Sequence, residues 1–215
     1  MTSGRRTFLR RTLGGVAGLA ITDASALSAM PGPAPAAADD PWLAAIAAKK
    51  HKAFMDVMHF FPDGTPFRRA KNLLSVMHES YGAAESEIGV AVGMHGRGLV
   101  HLMSQAAWDD LGLMEWLAPQ LNGAEAAALK AGAGTFASAS AASVVELRAR
   151  GVRFLACRET IAKWAQRAAT QKGETPAVVS ERIVRGLHEG VEPVPAMIAA
   201  AVLAGARGCG YVALA

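Results

Sequence analysis

The strongest constraint on the fold is an alternation that runs through most of the chain. Short apolar runs, too brief for helices, alternate with longer stretches whose apolar residues recur every three or four positions. The short runs are Ala53–Phe60, Ile88–Met94, Gly151–Cys157, Val191–Val194 and Cys209–Leu214, and each is predicted to be a strand. Between them the periodicity predicts helices over Trp42–Lys52, Phe67–Tyr81, Val144–Arg150, Glu159–Ala169 and Ala177–Leu187. Leu99–Met103 is predicted to begin another, and Pro195 to open one over Ala196–Ala206. Turn chemistry at Pro62–Pro66 and Gly173–Pro176 separates these elements, whereas the Ala-, Gly- and Ser-rich Gly123–Ala142 carries no period. Strands that alternate with helices predict an α/β domain with a five-stranded parallel, doubly wound sheet. Right-handed crossovers leave few strand orders, a flavodoxin-like one among them.

Composition agrees with one well-cored domain: 52% of the 215 residues are hydrophobic and 19% are charged. The pI of about 9.3 suggests nucleic acid until the charges are located. Arg5, Arg6, Arg10 and Arg11, less Asp23, give residues 1–38 a charge of +3 and leave only +1 of the total +4 to the rest. The rest has no basic stripe with interleaved aromatics, so nucleic-acid binding is not expected.

The basic segment has its own pattern. Arg5-Arg6-Thr7-Phe8-Leu9-Arg10 resembles the twin-arginine translocation motif, with Gly4 where Ser or Thr is usual and Arg10 where Lys is frequent. The weakly apolar run Leu13–Ile21 follows, far short of the ~20 residues that span a bilayer. Ala36-Ala37-Ala38 then supplies small residues for cleavage. Residues 1–38 are therefore expected to be a twin-arginine signal peptide that engages the translocase. Residues 39–215 are expected to form a periplasmic or otherwise exported domain without stable membrane insertion.

Three stretches carry a second resemblance. They are Gly89–Gly96, a strand ending in His-Gly; Gly151–Thr160, a Gly-Val strand with Cys157 at its end; and Val191–Met197 followed by Gly208–Val212. Taken in order they resemble the DsrE/DsrF-like family over roughly Ala53–Leu214. The resemblance implies a five-stranded flavodoxin-like domain that assembles into homo-oligomers. It also implies a cysteine after the third strand that carries persulfide in a sulfur relay, and Cys157 holds that position. The segment Ser104–Ala142 is longer than the family pattern and inherits no role.

The residues themselves allow two readings of Cys157. A cysteine between a parallel strand and a helix lies at the ligand edge of the sheet, near a helix N-terminus that favours thiolate, with Arg158 adding positive charge. Equally, a free cysteine is often a small buried packing residue. Cys209, at the opposite end of its strand, lies ~17 Å away along a five-residue strand, beyond the ~7 Å a disulfide tolerates. Two free thiols follow, with Cys209 the buried, inert one. His59 and His95 end predicted strands on the same edge as Cys157 and are, with Arg158, the candidate substrate contacts. His51, His78, His101 and His188 receive no role.

No Cys-x-x-Cys or His-x-x-x-His pair indicates a metal, and Gly93–Gly98 lacks a phosphate-loop pattern, so no cofactor is expected. The functional expectations are two. One is an exported protein that accepts and passes sulfur at Cys157, with a sulfur donor or acceptor protein as partner. The other is a non-enzymatic oligomeric module that binds a small ligand or partner in the same crevice.

Overall fold

The computed structural model describes residues 40–124, 126–127 and 142–214. The twin-arginine segment and the cleavage site at Ala36–Ala38 lie outside the described residues, as does most of Gly123–Ala142. The elements are α1 (Pro41–Ala47), β1 (His51–Val57), α2 (Thr65–Glu79), β2 (Ile88–Met94), α3 (Gln105–Leu111), α4 (Leu113–Leu117), α5 (Val144–Ala149), β3 (Arg153–Cys157), α6 (Arg158–Lys172), α7 (Pro176–Arg185), β4 (Glu192–Val194), α8 (Met197–Ala206) and β5 (Gly210–Leu214).

The five strands form one sheet in the order β4-β3-β2-β1-β5, and every pairing is parallel. The α/β, five-stranded parallel architecture is thus the one the alternation predicts. The strand order differs from the flavodoxin order 2-1-3-4-5: here β1 to β4 step in one direction without reversal. The difference has a physical consequence. Right-handed crossovers that advance in one direction place their helices on one face, and the single return from β4 to β5 places its helix on the other.

The packing follows that rule. One cluster joins Phe67 and Leu74 of α2, Leu147 of α5, Ile161 and Ala165 of α6 and Ile183 of α7 to Val57, Val92, Met94, Phe154 and Ala156 of the strands. The opposite face is thinner and is covered by α1 and α8, with Trp42, Ile46, Met197, Ala200 and Ala204 packed on Phe54, Ala91, Leu155 and Cys157. Small residues let α8 lie close to the sheet. Gly93 is the extreme case, because a Cβ there would collide with Met197 Sδ and approach Phe54 Cζ to 2.8 Å.

Several boundaries move. The first helix stops at Ala47 rather than Lys52, because His51 and Lys52 pair with Ile88 and Gly89 at the start of β1. The stretch predicted to begin a helix at Leu99 is a 3-10 helix over Gly96–Leu102. Pro195 does not open α8: it precedes an extended Ala196 that caps a helix beginning at Met197.

Candidate functional site

The carboxyl ends of the strands hold the chemistry. From β3 the chain enters α6 on the thick face, and from the neighbouring β4 it enters α8 on the thin face. Adjacent strands whose connections leave to opposite faces define the crevice where open α/β sheets bind ligands. Cys157, paired with Val194 across those two strands, stands at that point and is the N-cap residue of α6. Arg158 follows at the first helical position and is exposed.

Alternation along the strands fixes which side chains share a face. Cys157 and Leu155 point to the thin face, as do Phe54 and Ala91. Asp56, two residues beyond Phe54, is on that face as well. So is His95, which continues β2 by one residue, its N–H donating to Val57 O at 3.0 Å. The β2–β3 register runs to Met94 opposite Ala156, so one further step puts His95 beside Cys157, at the ~4.8 Å spacing of neighbouring strands.

His95 is in turn held by Asp56: His95 Nε2 lies 2.9 Å from Asp56 Oδ1, an ion-pair distance that falls off the line of a well-aligned hydrogen bond. The Tyr211 hydroxyl donates to Asp56 Oδ2 at 2.6 Å from the outermost strand, and its ring stacks on Phe54 at 6.4 Å. Tyr211, Asp56 and His95 are thus linked across three strands, and the register places Cys157 next in line on the fourth.

Partial burial works to raise the Asp56 carboxyl, but the close approach of His95 and the hydrogen bond from Tyr211 outweigh it and hold the group below the usual carboxylate range. The Tyr211 bond to Asp56, with some burial, pushes the phenol up. The carboxylate therefore stays ionised, and it orients the imidazole as a carboxylate does in nucleophile–histidine–acid arrangements.

The other predicted residues fall elsewhere. The His59 ring Nδ1 lies 3.3 Å from an Arg97 guanidinium nitrogen, and Arg97 also donates to Gln120 O at 2.8 Å. The loop after β2 is pinned to α6, with Gly96 N–H donating to Thr160 Oγ1 at 3.0 Å. Both cysteines are free, but their burial is the reverse of the expectation. Cys157 is 4% exposed, whereas Cys209 lies half-buried just ahead of β5, its thiol pushed up by burial against the opposing pull of Lys52. The reason is topological: Cys157 shares the face that α8 covers, and Cys209 precedes an edge strand.

Asp56 and Tyr211 carry no motif. The one local signal is an acidic residue within the apolar run Ala53–Val57 of β1, and pairing it with Tyr211 requires knowing that β5 lies beside β1. Among the described residues no three His, Cys, Asp or Glu side chains come together as a metal-binding group. Among them, too, no helix is long and apolar enough to cross a membrane.

No protein-family model matches the chain, and no curated protein matches it. Among solved structures it is similar to the protein of unknown function MTH1491 from Methanobacterium thermoautotrophicum, at 16% identity and a TM-score of 0.40. The match covers 77% of this chain and 100% of that one.

Proposed function

We propose that this is an exported, DsrE-like sulfur-handling protein that accepts sulfur as a persulfide on Cys157 and passes it to a partner protein. The observation that carries the reading is the row across the sheet, with Cys157 at the crevice, His95 beside it and Asp56 holding His95.

In the transfer, His95 accepts the Cys157 thiol proton, and the thiolate attacks the outer sulfur of a donor persulfide. The donor S–S bond breaks as the Cys157 S–S bond forms, and the donor leaves as a thiol that takes up the proton. The exchange has no net oxidation and needs no dissociable cofactor. Export follows the twin-arginine route. Self-assembly is supported by two surfaces: β5 pairs only with β1, which leaves an open strand edge among the described residues, and beside it Ile198, Val202 and Tyr211 are exposed.

A second reading, a non-enzymatic module that binds a small ligand or partner in the same crevice, is favoured by one fact. The Cys157 side chain is buried in the cluster with Val194 and Met197, so loading requires those side chains to move aside.

The test is to treat the full chain with a low-molecular-weight persulfide and map the product by mass spectrometry. A reversible gain of one sulfur on Cys157, abolished in Cys157→Ser and kept in Cys209→Ser, is expected. Asp56→Asn is expected to slow loading by about a hundredfold, the scale of a lost general-base contribution. A protein that stays unmodified while both thiols titrate as free leaves the binding-module reading standing alone.

A further inference from the structure

A second site lies away from the strand ends. Between α4 and α6, with Ile183 of α7 at its floor, is a cavity of about 510 Å3, within the range of small-molecule sites. Two of the four tryptophans of the chain form its wall: Trp116 and Trp164 meet edge to face, with ring centroids 4.8 Å apart. The other two are consumed by the core. Trp42 is buried on Phe54, and Trp108 is buried with its indole N–H donating to Val100 O. Trp116 and Trp164 remain partly exposed, and neither indole N–H bonds another described group.

The charges around the cavity divide into two sets. Arg182 of α7 is engaged by Glu174 at 2.5 Å and by Asp110 at 3.6 Å, and Lys172 at the end of α6 donates to Asp110 O at 2.9 Å. Arg167 and Glu115, which line the cavity itself, have no ion pair or hydrogen bond among the described residues. Opposite charges facing one cavity without closing on each other leave room between them for a molecule that carries both. Leu113, Ile183 and the two indoles offer that molecule an apolar and aromatic bed.

We infer that this cavity binds a small zwitterion with an aromatic body, of the free amino-acid class, its carboxylate on Arg167, its ammonium at Glu115 and its ring against Trp116 and Trp164. A pocket filled by another part of the chain or by a partner protein is the competing occupancy, and it predicts no response to such a molecule.

The test titrates the full chain with L-phenylalanine, 3-phenylpropionate and 2-phenylethylamine, following tryptophan emission and heat. L-Phenylalanine is expected to bind saturably with a change in emission, and each single-charge analogue at least about tenfold more weakly, one unit of lost pairing. Arg167→Gln is expected to erase the advantage over 2-phenylethylamine, and Glu115→Gln the advantage over 3-phenylpropionate. Both residues are exposed, so the variants retain the fold, which circular dichroism verifies. No saturable binding of L-phenylalanine, or binding unchanged in the two variants, overturns the inference.

Discussion

Acidification from pH 7 to pH 4 is expected to remove about 3 kcal/mol of folding stability through His101 alone, following from the linkage of a shifted pKa to stability. His101 lies on the 3-10 helix after β2 with 1% of its surface exposed. Its ring stacks on Phe60 at 4.8 Å, meets Phe67 edge-on at 5.6 Å, and accepts the Phe61 N–H at Nε2 over 3.0 Å. Burial pushes its pKa from 6.5 down to about 3, against a small upward pull from Asp63. The folded state therefore holds a neutral ring over a range where the unfolded chain binds a proton. The contribution is complete above pH 6.5 and drains away as pH falls toward 3.

His188 acts in the same direction, its pKa lowered mainly by burial and further by Arg148. Asp56 adds its own loss only at lower pH, because its depressed carboxyl must first be protonated. Urea titrations across the pH range measure the slope. His101→Gln keeps an acceptor for the Phe61 N–H without a titrating ring. It is expected to flatten the acid limb between pH 6.5 and 4 down to the His188 contribution, at a cost of about 1–2 kcal/mol at pH 7 for the lost ring packing. An acid limb of unchanged slope in that variant assigns the loss to other groups.

How far the sequence discloses this molecule depends on the range of the interaction that decides each feature. Ile88–Met94 is legible as a central strand because it is buried on both faces, and all seven of its residues are. His51 and Lys52 are misleading because they are polar and follow helix-forming residues, yet strand pairing draws them into β1. Cys157 is legible as the residue between a strand and a helix, since both flanking patterns are local. That it faces α8 rather than solvent depends on the return from β4, which no local pattern encodes. The same limit hides the partners of His95. Asp56 is 39 residues away, and Tyr211 joins the row only because β5 pairs with β1.

Gly98→Ala is expected to be among the most damaging single-methyl additions, at about 3 kcal/mol or more, the upper end of overpacking costs. A Cβ at this position would lie 2.5 Å from Val57 O and 3.1 Å from Val57 C, with His59 O at 3.2 Å. Those are backbone atoms, so no rotamer relieves the clash. The Gly98 N–H is also committed, bonded at 3.0 Å to Met58 O and His95 O. The end of β1 and the loop after β2 therefore touch main chain to main chain, and that contact sets His95 relative to Asp56.

Separating the two segments is expected to lower the melting temperature by roughly 6–12 °C, at the few degrees per kcal/mol of a domain this size. On the proposed sulfur-handling reading, it should also slow persulfide loading at Cys157 even below the melting range, because His95 shifts relative to Asp56. Gly205→Ala is the matched control. Nothing lies within 4 Å of its added Cβ, and an exposed glycine near the end of α8 gains helix propensity, so stability should rise by a few tenths to about 1 kcal/mol. If Gly98→Ala melts no earlier than Gly205→Ala, the main-chain contact does not hold the site together.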